Sequence, residues 1–141
     1  MILHIGDKFD RIVDVMNNCF GWNYKACMRG WYVLSKDKKT SAWFPKMADL
    51  SGGIPKPGDK WYGWCNTINE AKDTIYMNNF ENPERLSKEL PDGIEPHITF
   101  IKLPGSKVYQ YAGVFARKRR DEKLGWIYEQ IAKDIDTDDY I

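Results

Sequence analysis

At 141 residues, with 43% hydrophobic and 29% charged side chains, the chain has the length of one domain and the apolar content to bury a core, which excludes a disordered segment. Lysines and arginines number 21 against 20 acidic residues, a net charge of +1, so any phosphate-binding surface must arise from local clustering rather than from a strongly basic balance. Three cysteines, Cys19, Cys27 and Cys65, in no CxxC spacing, argue against a disulfide framework or a four-thiolate zinc site.

The start, "MILHIGDKFD", lacks a basic segment followed by a long apolar stretch, and no apolar run approaches the roughly 18 residues of a spanning helix. A single cytoplasmic domain over residues 1–141, without membrane contact, is expected. Residues Asp7 to Phe20 read as a helix: Phe9, Ile12, Val13, Met16 and Phe20 recur at helical spacing, with Asp7 as N-cap and Gly21 as the terminating residue.

Three hairpins follow. "GWYVLSK" and "TSAWFPKM" flank "DKKT", "WYGWCNTIN" and "TIYMNN" flank "EAKD", and "HITFIKL" and "VYQYAGVFAR" flank "PGSK". In the third, Ile101 opposite Gln110 would set Ile101, Leu103, Val108, Ala112 and Val114 on one face. Ile98, Phe100, Tyr109, Tyr111 and Phe115 would then lie on the other. Two apolar faces require cover on both sides, with Gly113 marking a bend. Between the second and third hairpins a short helix is predicted over Glu84–Leu90, bounded by Pro83 and Pro91. Leu124, Ile127, Tyr128, Ile131 and Ile135 fit a helix, but "GWIYEQI" also reads as a strand, and a final strand over Gly125–Ile131 is preferred. The predicted fold is α+β: a curved, mainly antiparallel sheet or open β-barrel with the N-terminal helix packed against it.

No motif for catalysis appears: no GxSxG, HExxH or P-loop, and His97 and Cys65 read as structural residues of strands. No catalytic residue and no cofactor is implied. Asp134, Asp136 and Asp138 alternate as in the start of a calcium loop, but the turn glycine and distal glutamate are missing, so no metal site is assigned.

Aromatics are 14% of the chain. Trp31, Trp43, Trp61, Tyr62 and Trp64 can stack a base, an interaction indifferent to base identity. Asn66 and Asn78 can donate to and accept from a base edge. Arg117, Lys118, Arg119 and Arg120, just past an apolar strand, can meet phosphates. By strand alternation Trp61 and Trp64 should point to opposite sides, one into the core and one towards a ligand.

The short helix followed by hairpins with "AWFPKM", "HITFIKL" and "YQYAGVFARKRR" resembles the small PUA-like barrel domains, which include the SRA and EVE types. The resemblance implies nucleic-acid binding and, in some members, an aromatic pocket for a modified or flipped base. It carries over no individual base-contact residue. A non-catalytic nucleic-acid-binding module is therefore expected, with a modified base as the ligand the resemblance implies for some members, and a protein-interaction or small-ligand module as the alternative.

Overall fold

The computed structural model describes residues 1–87 and 94–141. Among these described residues ten strands and one α-helix follow one another: β1 (Ile2–Leu3), β2 (Lys8–Phe9), α1 (Ile12–Phe20), β3 (Trp31–Val33), β4 (Ser41–Trp43), β5 (Trp64–Ile68), β6 (Thr74–Asn79), β7 (His97–Ile101), β8 (Tyr109–Asp121), β9 (Gly125–Ala132) and β10 (Ile135–Asp136). Eight form one curved sheet along the path β3-β4-β7-β8-β9-β6-β5, with β2 pairing on β8; β1 and β10 make a separate two-stranded ribbon. All pairs are antiparallel except β4 with β7. This is the α+β architecture expected from the sequence.

The helix is shorter than its apolar spacing predicts. Asp7 does not cap it; its carboxylate accepts the His4 amide instead, and Lys8 and Phe9 pair with Gln110 and Tyr109. Sheet pairing therefore takes the residues that helical periodicity claimed, and α1 begins after Arg11, whose side chain makes no cap hydrogen bond. Its end is as predicted, at Gly21 in the left-handed conformation (φ 71°).

All three hairpins are present, and Ile101 lies opposite Gln110. The face assignment of the third holds only as far as a bulge between Thr99 and Phe100, after which Thr99 pairs with Gly113. The bulge exchanges two residues: Val114 joins Phe100 and Tyr111 beneath α1, and Phe115 joins Ile101 and Ala112 on the opposite side. Both faces are covered, as two apolar faces demand. One core packs Val15, Met16, Cys19 and Phe20 of α1 on Phe44, Ile98 and Phe100; the other gathers Trp43, Ile75, Phe115 and Tyr128 in the concavity.

Pro83–Ser87 forms a 3₁₀ turn where the Glu84–Leu90 helix is predicted; residues 88–90 lie outside the described residues. Trp126 donates its indole N–H to the Leu86 carbonyl (2.5 Å), fixing this turn to β9.

Candidate nucleic-acid interface

The sheet path leaves β3 and β5 as its two ends, and the chain past β4 spans between them. Lys46 bridges Lys102, Met47 bridges Asn66, and the Ala48 amide donates to the Asn66 carbonyl (2.7 Å). Above this bridge opens a cavity of about 590 Å³, whose walls include Trp31, Trp43, Trp61, Trp64, Asn66 and Met77. Its size falls in the roughly 300–1,000 Å³ range of small-ligand sites.

Each wall is placed by local structure. Trp31 and Trp43 are register partners across β3 and β4, and Asn66 and Met77 across β5 and β6. Trp43 is 9% exposed and belongs to the concave core, whereas Trp64 is 45% exposed at the mouth. Trp61 and Trp64 do not face opposite sides. Strand β5 begins only at Trp64, so alternation does not reach back to Trp61, and the turn before the strand brings both rings to the same cavity. Neither is buried.

The cavity has an electrostatic sign. Arg29 and Lys46 line it, and among the described residues no aspartate or glutamate does. Lys60 lies 4.9 Å from the Trp61 ring centroid, and Lys102 lies 5.1 Å from that of Tyr109, another lining residue. The sequence reading passed over these cations, although Arg29 stands two positions before Trp31 and Lys60 directly before Trp61. The usable signal was a cation beside a tryptophan, not a run of charge. Asn66 adds polarity: its Oδ1 is buried with no hydrogen-bond partner among the described residues. Such an acceptor costs about 1–3 kcal/mol unless something donates to it.

Other expected site residues lie apart from the cavity walls. Tyr62 falls in the turn before β5 and is half-buried. Asn78 donates to the Lys123 carbonyl (3.0 Å) and accepts the Asn79 amide (2.9 Å), so its amide is occupied in structure. Lys118, Arg119 and Arg120 are exposed on β8, and Arg117 is half-buried. None of the four lines the cavity.

His97 is drawn into a polar group. Its Nδ1 lies 2.5 Å from Ser41 Oγ, and its Nε2 faces Glu95 Oε1 at 3.2 Å. The order serine–histidine–carboxylate is that of a nucleophilic triad. Ser41 is nevertheless 0% exposed and His97 5% exposed, so a substrate has no access to the hydroxyl. Cys65 is buried on β5, and burial pushes its thiol above the usual range. The alternating aspartates are engaged locally: Asp134 accepts from the Ile5 amide and meets His4, and Asp136 accepts the Asp138 amide. Among the described residues no cluster of three or more histidine, cysteine or acidic side chains could hold a metal. No helix among them is long and apolar enough to cross a membrane.

Comparison with known proteins agrees with this architecture. The model of the SRA family, the SET and RING associated domain, matches residues 2–137. A solved structure, "The 5-Hydroxymethylcytosine-Specific Restriction Enzyme AbaSI", superposes with a TM-score of 0.69 at 21% identity, covering 96% of this chain but 42% of that one. No curated protein matches the sequence. With the family model spanning almost the whole length, the chain belongs to the SRA family, a group of PUA-like nucleic-acid-binding domains.

Proposed function

We propose that this chain reads a modified base in DNA, holding it in the cavity between β3 and β5. The observation that carries the proposal is the cavity itself, which among the described residues has four tryptophans, a buried acceptor without a donor, two lining cations and no carboxylate. Trp31, Trp43, Trp61 and Trp64 supply stacking faces, each worth about 1–3 kcal/mol for a stacked base. Asn66 Oδ1 accepts a hydrogen bond from the base edge, relieving its own burial without a partner. Arg29 and Lys46 neutralise phosphates at the rim, with Arg119 and Arg120 as a more distant contact.

Family membership supports DNA as the partner, and the likeness to a 5-hydroxymethylcytosine-specific enzyme supports a modified cytosine as the base. Because the chain spans 42% of that enzyme, the proposal is for the reading step alone, with no cleavage chemistry. The free cysteines support a cytoplasmic setting.

The test is a fluorescence titration with duplexes that differ at one cytosine: unmodified, 5-methylated or 5-hydroxymethylated. Tighter binding of a modified duplex, weakening steeply with salt, is expected. Equal affinity for all three would remove base reading, and no binding at low salt would remove DNA. Salt-independent capture of a protein would favour the interaction-module alternative.

A further inference from the structure

Behind the Trp43 wall lies the polar group that base reading leaves unused. The rings of Trp43, His97 and Tyr128 form a triangle, with centroids 5.5 Å (Trp43–His97), 4.8 Å (Trp43–Tyr128) and 5.7 Å (His97–Tyr128) apart. His97 is the member with a polar neighbour at both ends: it shares a hydrogen bond with Ser41 on β4, and Glu95, just before β7, sets Oε1 3.2 Å from its Nε2 without hydrogen-bond alignment. Glu95 in turn accepts the Arg117 amide of β8 through Oε2 (3.2 Å). His97 of β7 is thus tied to Ser41 of β4 directly and to the Arg117 amide of β8 through Glu95.

The protons in this group can be placed. An ionised carboxylate only accepts, so the facing His97 Nε2 must carry the hydrogen. Glu95 Oε1 and His97 Nε2 are buried, lie 3.2 Å apart and make no hydrogen bond among the described residues, so each has only the other within reach to relieve its burial. Ser41 Oγ, fully buried, has His97 Nδ1 as its partner, so the hydroxyl donates and Nδ1 is left bare. The Nε2–H tautomer turns a donor towards Glu95 and an acceptor towards Ser41, whereas the Nδ1–H tautomer would set two acceptors, Nε2 and the carboxylate, against each other.

We propose that buried Ser41 and His97, with half-buried Glu95, form a positioning relay that fixes the orientation of Trp43 and ties this wall of the cavity to β8. The three touch no ligand. They act by locking the imidazole against which the indole packs, and a stacking wall discriminates only if its plane is held. This role is separate from the fold: it needs the polar contacts of the His97 ring as well as its volume.

Two variants separate those needs. His97→Phe keeps a ring of similar size and removes both polar contacts; Ser41→Ala removes only the hydrogen bond at Nδ1. The first readout is NMR of the free protein: the imidazole nitrogens of His97 and the indole N–H of Trp43, assigned with Trp43→Phe. The Nε2–H tautomer is expected in the unaltered chain, with a displaced Trp43 resonance in both variants. The second readout rests on the modified-base proposal: preference for a modified over an unmodified duplex should fall about tenfold, the effect of losing 1.4 kcal/mol of differential binding. An Nδ1–H tautomer in the unaltered chain overturns the relay. So does an unmoved Trp43 resonance in either variant that folds. Should neither variant fold, the tautomer alone decides. A chain that binds no duplex ends the modified-base proposal and leaves the NMR arm to judge the relay.

Discussion

The guanidinium of Arg117 lies 4.1 Å from the ring centroid of Trp126, a residue of the neighbouring strand β9, while the Arg117 amide donates to Glu95. The first member of the basic run is therefore spent on holding strands together. Lys118, Arg119 and Arg120 point to solvent, apart from a long contact from Arg120 to the Pro83 carbonyl (3.5 Å). Arg117→Ala should accordingly lower stability by about 1–2 kcal/mol, as a half-buried cation–π pair would. Replacing Arg119 and Arg120 by Ala should leave stability within about 0.5 kcal/mol. If these two meet phosphate, the double variant weakens DNA binding equally across sequences and reduces the salt slope by roughly one per lost contact. Chemical denaturation beside titrations at several salt concentrations reads both effects. An unchanged slope would take the run out of the interface.

The cavity tryptophans divide by burial, and the division fixes what each truncation does. Trp43, 9% exposed and packed on Tyr128, should cost about 3–5 kcal/mol as Ala, the usual loss for a large aromatic removed from a core. Trp64, 45% exposed, has little to lose in folding. Trp64→Ala should instead cost about 1–3 kcal/mol in binding, the worth of a stacked base, with a melting curve near that of the unaltered chain. A Trp64→Ala protein that melts far lower but binds normally would reverse this assignment.

How far the sequence announces this arrangement depends on the range of the interaction. Alternation and turn residues identify the three hairpins because a hairpin is closed by its own neighbours, and apolar residues on both faces foretell cover on both. Boundaries fail where a distant strand competes: Phe9 fits the helical stripe, but pairing with Tyr109 holds it in β2. The cavity is less legible still. Trp31 and Trp61 are brought together by the approach of opposite sheet ends, and no local period encodes a meeting of residues thirty positions apart. The joining of Glu95, His97 and Ser41 is hidden for the same reason, since β4 and β7 pair in parallel across a long connection.

The bulge in the third hairpin offers a stability test. Gly113 has φ 112°, and an added Cβ would stand 2.8 Å from the Ala132 carbonyl oxygen and 2.7 Å from Gln130 Nε2. The side-chain atom can move aside, but the backbone oxygen is held in the sheet. Gly113→Ala should therefore destabilise by more than the roughly 1 kcal/mol typical of point substitutions, through backbone strain and the close approach together. Urea unfolding measures it. A stability equal to that of the unaltered chain would show that β8 can carry the bulge elsewhere.

The ribbon of β1 and β10 carries a pH dependence of two signs. His4 Nδ1 lies 3.0 Å from Asp134 Oδ2, and the Ile5 amide donates to Asp134 Oδ1 at 3.0 Å. The bond to Asp134 raises the His4 pKa above its ordinary value, opposed by slight desolvation. The Asp134 carboxyl is held below its ordinary range, first by His4 and then by the Ile5 amide. A raised histidine contributes stability that is complete below its unfolded pKa, about 6.5, and is lost as pH rises through the folded value. A lowered aspartate contributes above its unfolded pKa, about 3.9, and its share is lost as pH falls through the folded value. Together they hold the Ile5 amide most firmly between about pH 4 and 6.5. Both groups face solvent, so the effect is local and weakens with salt. Hydrogen-exchange protection of the Ile5 amide, corrected for intrinsic rates, should peak in that window and flatten in Asp134→Asn. Equal protection from acid to mildly alkaline pH in the unaltered chain would show that the pair does not hold the ribbon.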